Sequence, residues 1–128
     1  MNTTDLPYVD GFVLPLPKAN LEAYQKMATT AATVWKEHGA LDYKECVIED
    51  ARIETMRSFL DMAGASDEET VVFAYIVYPS REARDAINAK VMADLRLKDC
   101  CPESNPQAVL PFDCKRMAYG GFRTIVSA

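Results

Sequence analysis

The sequence holds a single histidine and four cysteines, and no two cysteines are spaced as Cys-x-x-Cys. A structural zinc site draws four ligands mainly from these two residue types, so no such zinc site is predicted. The chain also lacks a glycine-rich phosphate loop, a Gly-x-Ser-x-Gly elbow and a His-Glu-x-x-His motif. Several common nucleotide-binding, hydrolase and metalloprotease classes are therefore not indicated. The adjacent Cys100 and Cys101 allow a redox pair, although reduced thiols are the simpler interpretation.

Long apolar runs and excess positive charge are absent as well. No apolar run approaches the roughly 20 residues that a membrane-spanning helix needs, and residues 1–7 lack the basic and apolar regions of a secretory signal. The 14 Lys and Arg against 19 Asp and Glu give a net charge of −5, which repels phosphate backbones and anionic lipids. We therefore expect a cytoplasmic protein that binds neither nucleic acid nor membrane.

The strongest structural signal is the run at residues 70–78, whose nine residues are all β-branched or aromatic except Ala74 and which ends before Pro79. The run does not alternate apolar with polar residues, which is typical of a strand that is covered on both faces. The 128 residues, 49% of them hydrophobic, are predicted to form a single domain, residues 1–128, with its own core. A domain of this size has few layers of secondary structure. We therefore expect a second copy of the chain to cover the second face of this strand.

Three more strands and two helices accompany this run. Strands are predicted at residues 8–16, where Pro15 and Pro17 end the strand, at 41–48 and at 114–125. Helices are predicted from Asn20, as N-cap, to about residue 38, and from Ser80 to about residue 94. In the last strand, Gly120 and Gly121 indicate a bulge or a close backbone approach.

The order β-α-β-β-α-β predicts an α+β, ferredoxin-like fold with a four-stranded antiparallel sheet. Right-handed crossovers place both helices on one face of that sheet and leave the other face bare. Burial of the bare apolar face is a strong driving force for self-association. We therefore expect a homodimer through the sheet faces, which is a dimeric α/β barrel.

Six segments carry a family resemblance. They are residues 8–13 (YVDGFV), 35–41 (WKEHGAL), 69–73 (ETVVF), 78–81 (YPSR), 88–94 (NAKVMAD) and 115–122 (KRMAYGGF). In these segments the chain resembles the YbaA-like family, a bacterial family of unknown function in the dimeric α/β-barrel superfamily. The resemblance implies the same fold and assembly, and it supplies no catalytic residue.

Three polar residues, Asp10, His38 and Arg116, are candidates for a catalytic role. Asp10 lies among aromatic residues, where a carboxylate needs a partner. The neighbouring last strand offers Lys115 or Arg116 as that partner. The alternative is that Asp10 acts as a base or ligand anchor at the mouth of a cavity. His38 falls near the end of the first helix, where it can simply pack or cap. Superfamily relatives bind haem through a helix histidine, so the resemblance makes His38 a candidate ligand.

Five aromatic residues are candidate pocket walls. They are Trp35, Tyr43, Phe73, Tyr75 and Tyr119. Superfamily relatives include cofactor-independent monooxygenases, so the resemblance implies a pocket for an aromatic or isoprenoid-like molecule. Aromatic side chains on strands more often serve packing alone. Lys44 and Glu45 are interpreted as solvated charges on an edge strand.

Three functions follow from these features. The first is binding or transformation of a small hydrophobic molecule in the crevice between helices and sheet. Asp10, His38 and Arg116 would supply its polarity. The second is a non-catalytic dimeric interaction module that contacts another protein through the proline-containing segment 95–113, whose length favours a functional loop, a dimer arm or disorder. The third is haem or metal binding through His38. The residues leave open whether the protein is an enzyme and which cofactor, if any, it uses.

Overall fold

The computed structural model describes residues 6–100 and 110–128. Its strands are β1 (Tyr8–Pro17), β2 (Asp42–Val47), β3 (Glu69–Tyr78) and β4 (Ala118–Arg123). Its α-helices are α1 (Leu21–Glu37), α2 (Phe59–Ala63) and α3 (Arg81–Met92). Three short 3-10 segments lie at Lys18–Asn20, Leu95–Cys100 and Cys114–Arg116. In the described ranges no helix is both long and apolar enough to cross a membrane.

The four strands form one antiparallel sheet in the order β2-β3-β1-β4. This arrangement confirms the predicted α+β, ferredoxin-like fold, and the short helix α2 lies between β2 and β3. The expected neighbour relation between the first and last strands is also confirmed, because Phe12 on β1 lies opposite Tyr119 on β4. The sheet therefore places residues from both ends of the chain side by side.

One side of the sheet is covered by α1 and α3 and forms the core. Side chains alternate between the two sides of a strand, and on β3 Val72, Ile76 and Tyr78 point toward the helices and are buried. On α1, Ala28 and Val34 meet them from an apolar stripe of helical spacing. The helix-facing side of the sheet thus carries most of the buried apolar surface.

The other side of the sheet, here called the open face, is apolar but only partly covered. Strands β1, β3 and β4 contribute Val9, Gly11, Val13, Phe73, Tyr75, Val77, Ala118, Gly120 and Phe122. The edge strand β2 adds Asp42, Lys44 and Cys46. The side chains of Phe73 and Phe122 are 43% and 58% exposed. The helix α2 covers one end of this side, where Phe59 packs against Phe73 with ring centroids 6.3 Å apart.

Several predicted boundaries are wrong in informative ways. Pro15 does not end the first strand, which continues to Pro17. Because β4 pairs only with residues 8–13 of β1, β1 has a neighbour on one side alone beyond that point, where proline is tolerated. Asn20 occupies the predicted N-cap position of α1, but its side chain makes no capping hydrogen bond, since its amide donates to the Pro111 carbonyl at 2.8 Å. The predicted cap at Ser80 is confirmed, because its hydroxyl accepts from the Ala83 amide.

The C-terminal part of the fold also differs from the prediction. The last strand is shorter than residues 114–125, because its expected start is a 3-10 turn whose N-cap is Asp113. The strand pairs with β1 without a bulge. A close approach is confirmed at Gly121, where a Cβ atom would lie 2.5 Å from the Tyr8 hydroxyl oxygen. The predicted loop 95–113 begins as a 3-10 segment, and its residues 101–109 lie outside the described residues.

Candidate functional site

A cavity of about 740 Å³ lies between the helices and the sheet. The sheet contributes Phe12, Tyr43, Ala74, Ile76 and Tyr119. The helix α1 contributes Tyr24, Met27, Ala31 and Trp35, which share one face of the helix. Met92, Leu97, Phe112, Cys114 and Met117 complete the lining. This volume is within the range of about 300–1,000 Å³ that is usual for small-molecule sites.

A carboxylate and two phenols form the main polar group of the cavity. Glu45 Oε1 accepts from the Tyr24 hydroxyl and Glu45 Oε2 accepts from the Tyr43 hydroxyl, both at 2.7 Å. Tyr43 and Glu45 are two residues apart on β2, so their side chains share the helix-facing side. Burial, and next the charge of Glu45, raise the pKa of both phenols above their usual range. The phenols therefore keep their protons and act as donors to the carboxylate.

The same three residues also border a groove on the outside of the molecule. The groove, of about 370 Å³, runs between α1 and β2 and is lined by Tyr24, Tyr43 and Glu45 together with Leu21 and Val47. Because these three residues line both spaces, they stand between the surface groove and the interior cavity.

Asp10 is the centre of a second polar network, at the back of the cavity. Its carboxylate is 1% exposed and accepts from Arg84 at 2.9 Å, from Tyr119 at 3.1 Å and from Tyr78 at 3.0 Å. The Tyr78 hydroxyl in turn accepts from Trp35 Nε1 at 3.1 Å. The predicted pairing of Asp10 with Lys115 or Arg116 is therefore wrong, because Arg84 of α3 takes that place. The network holds Trp35 and Tyr119 in the cavity wall.

The other two candidate polar residues lie outside the cavity lining. His38 Nε2 contacts Asp94 Oδ2 at 2.9 Å, at the C-terminal end of α1. Arg116 donates to Glu69 Oε2 at 2.7 Å and to the Gly64 carbonyl at 2.8 Å. Asp10, His38 and Arg116 are thus held in three separate networks. Their catalytic or ligand roles stay predictions. In residues 6–100 and 110–128, no group of three or more His, Cys, Asp or Glu side chains could hold a metal ion.

The ion pair of Arg116 with Glu69 predicts a specific dependence of stability on pH. The hydrogen bond from Arg116, with help from the Ser66 amide, lowers the pKa of Glu69 from its ordinary 4.5 to about 2. A depressed carboxyl pKa stabilises the fold above 4.5, and this contribution is lost as the pH falls toward about 2. Arg116→Met should therefore be less stable than the wild type at neutral pH, and the difference should vanish across that interval.

The measurement is urea unfolding at a series of pH values. Lys115→Met is the matched control, because Lys115 is the exposed neighbouring cation and its ammonium group makes no ion pair with a described carboxylate. It should show no such pH-dependent difference. A constant difference between wild type and Arg116→Met at all pH values would show that the loss comes from packing and not from the ion pair.

The structure brings together three of the five predicted aromatic wall residues. Trp35, Tyr43 and Tyr119 line the cavity. Phe73 and Tyr75 lie on the open face, with their ring centroids 6.1 Å apart. The two groups are separated because odd-numbered residues of β3 point away from the helices. Phe73 and Tyr75 therefore cannot be walls of this crevice.

Three residues of the site were not predicted from the sequence. Glu45 was interpreted as a solvated edge charge, but it faces the cavity. The alternation that places Tyr43 and Glu45 on one side of β2 was the available signal. Tyr24 was not among the candidate residues, although its hydroxyl reaches Glu45. No local pattern points to Arg84, since its partner Asp10 is distant in sequence.

Comparison with known proteins places the chain in a family. Residues 7–114 match a family described as a protein of unknown function, DUF1428. Uncharacterized protein YbaA of Escherichia coli (strain K12) is 45% identical over 121 residues, which cover 94% of this chain and 98% of that protein. The YbaA protein of Shigella flexneri matches to the same extent.

A solved structure supports the fold. The chain is similar to the crystal structure of a dimeric ferredoxin-like protein from an uncultured marine organism, with a TM-score of 0.53 and 15% identity. The match covers 95% of this chain and 99% of that chain. The resemblance to the YbaA-like family is confirmed by the relatives and by the family match. The chain belongs to the DUF1428 family, together with the YbaA proteins.

Proposed function

We propose that the protein binds a small, largely apolar molecule in the cavity between the helices and the sheet. The observation that carries the proposal is the cavity itself, about 740 Å³ with mostly apolar walls and the Glu45 carboxylate among them. Apolar surface of this extent is costly to leave in water, and a few convergent polar groups in such a space are typical of a ligand site.

The walls support this proposal because several of them are held in place without a ligand. Trp35 and Tyr119 are hydrogen-bonded through the Asp10 network, and Tyr43 is hydrogen-bonded to Glu45. A site whose side chains are already ordered loses little conformational entropy when a ligand binds. Trp35 is also the single tryptophan of the chain, so its fluorescence reports on this cavity alone.

Ala31→Leu tests this function, because Ala31 is buried and lines the cavity. The added carbon atoms occupy ligand space, so binding of the neutral dye Nile red should weaken by about tenfold or more. The measurement is the rise in Nile red emission together with the quenching of Trp35 fluorescence. Thr30→Leu is the matched control, since Thr30 is exposed on the same helix, and it should bind the dye as the wild type does.

Two results would count against this function. One is an Ala31→Leu variant that binds the dye as tightly as Thr30→Leu does. The other is dye emission that rises without any change in Trp35 fluorescence, because that would place the dye on the open face. Melting temperatures of both variants show whether the fold is retained.

We also propose that two copies of the chain pair through their open faces. The face is apolar and carries the partly exposed rings of Phe73 and Phe122, and a contiguous exposed apolar surface is typical of an interaction site. The similar ferredoxin-like protein is described as dimeric, which supports a second copy as the occupant. Such a pairing covers the second side of β3, as its sequence predicts.

The other functions considered from the sequence stay predictions. The segment expected to contact a partner protein falls partly on residues 101–109, outside the described residues. Haem or metal binding through His38 would compete with the contact between its imidazole and Asp94. The cytoplasmic location and the lack of nucleic-acid or membrane partners also stay predictions.

A further inference from the structure

Two carboxylates lie on the helix-facing side of the four described strands, and they differ in their partners. Asp10 on β1 has the cation Arg84 at 2.9 Å. Glu45 on β2 has only the two neutral phenols of Tyr24 and Tyr43. Within residues 6–100 and 110–128, no Lys, Arg or His forms an ion pair with Glu45. The cavity therefore holds a negative charge whose counter-charge is not supplied by the described part of the chain.

Glu45 also has unused hydrogen-bonding capacity. Each carboxylate oxygen offers two lone-pair directions, and each oxygen of Glu45 accepts one phenol. One direction on each oxygen remains for a donor from a ligand. A charged donor is favoured over a neutral one at this position, because it adds a Coulomb attraction to the carboxylate that a neutral donor lacks.

Aromatic rings surround this carboxylate. Tyr24 packs edge-on against Phe112 with ring centroids 5.6 Å apart, and Trp35 packs against Tyr43 at 5.9 Å. All four rings line the same cavity as Glu45. Faces of aromatic rings attract cations, and aromatic side chains are the usual surroundings of bound ammonium groups.

The rest of the cavity suits an apolar body. Its other walls include Met27, Met92, Leu97 and Met117. Methionine side chains are flexible and polarizable, so they adapt to apolar groups of different shape. A single ligand can thus place a polar head at Glu45 and an apolar body against these side chains.

We propose that the ligand is a cationic amphiphile, an alkyl- or arylammonium compound whose head pairs with Glu45 among the aromatic rings. This inference rests on the proposed function, because it names the ligand class of the same cavity. An anionic ligand is repelled by Glu45, and a neutral alcohol satisfies a lone pair without neutralising the charge. The chain thereby selects its ligand by charge at one end and by apolar contact at the other.

Three probes with one alkyl chain test this inference: octylamine, octanol and octanoate. Binding to the wild-type protein is measured at neutral pH by Trp35 fluorescence and by titration calorimetry. We expect octylamine to bind tightest and octanoate weakest, with about tenfold or more between octylamine and octanol. In Glu45→Gln the affinity for octylamine should fall by about tenfold or more, whereas that for octanol should change less than about threefold.

Glu22→Gln is the matched control, because it removes the same charge from an exposed position in the first turn of α1. It should leave the affinity for octylamine unchanged, which separates pairing at Glu45 from general attraction to an acidic protein. The ranking of the three probes on the wild type needs no variant, so it can still overturn the assignment if Glu45→Gln fails to fold.

The outcomes separate the inference from the function on which it rests. If octanol or octanoate binds the wild type as tightly as octylamine does, the proposal of an ammonium ligand is wrong. The proposed binding of an apolar molecule is not contradicted by that result. Equal losses of octylamine affinity in Glu45→Gln and Glu22→Gln would also overturn the assignment. If none of the three probes changes Trp35 fluorescence or gives a binding signal, the cavity does not bind such molecules. The proposed function is then wrong as well.

Discussion

Arg84→Met is expected to lower the free energy of unfolding by about 3–5 kcal/mol, because the Asp10 carboxylate would stay buried without its cation. Asp10 and the Arg84 side chain are 1% and 13% exposed. Methionine retains most of the aliphatic stem of arginine, so the loss reports mainly the missing charge and hydrogen bonds. The measurement is urea unfolding followed by circular dichroism.

Two comparisons show whether the loss has this cause. The double variant Asp10→Asn, Arg84→Met removes both charges and should recover part of the stability, since the penalty comes from an unpaired buried charge. Glu37→Gln removes the partner of Arg96 in an exposed pair, and it should cost much less because exposed pairs are screened by water. If Arg84→Met costs no more than Glu37→Gln, Asp10 does not depend on Arg84 for its charge.

Phe122→Asp is expected to convert the proposed homodimer into a monomer. The ring is 58% exposed in the single chain and lies over Gly11, where a Cβ atom would be 3.1 Å from it. A symmetric dimer carries the change twice. A loss of about 2 kcal/mol at each copy, as for a central interface residue, amounts to about 4 kcal/mol. The dissociation constant should therefore rise roughly a thousandfold.

Sedimentation equilibrium of wild type and variant measures this effect. Leu95→Asp is the control, because Leu95 is 80% exposed and lies in the 3-10 segment after α3, away from the open face. It adds the same charge and should leave the dimer intact. A monomeric wild type, or a Phe122→Asp variant that still dimerises with equal affinity, would refute the pairing. Circular dichroism confirms that the variant is folded, as expected where the replaced ring contributes little to the core.

Local patterns in the sequence were sufficient to predict the elements and their order. The run at residues 70–78 forms most of β3, and Ser80 caps α3 as its position before the helix indicates. These features depend on neighbours in the chain, whose effects on backbone conformation are direct. Pro15 of β1 was misjudged because its tolerance depends on where β4 stops pairing, which is a property of the assembled sheet.

The candidate site was less predictable, because its residues come from separate parts of the fold. Alternation on β2 placed Tyr43 and Glu45 on one side, but no local pattern shows that Tyr24 of α1 reaches the same carboxylate. For Asp10 the chain offered several cations, and the adjacent strand pointed to Lys115 or Arg116. The choice of Arg84 follows from the packing of α3 against the sheet.

By itself, the sequence determined the family, the ferredoxin-like order of strands and helices, and the apolar character of both sides of β3. The order of elements and the apolar character of β3 follow from residue types and spacings over a few positions. The family follows from similarity along the whole chain. Only the tertiary structure shows that, among the described residues, Asp10 pairs with a cation and Glu45 does not. Charge pairing depends on distances between side chains that are far apart in sequence, so Asp10 became part of the core while Glu45 was left facing the cavity.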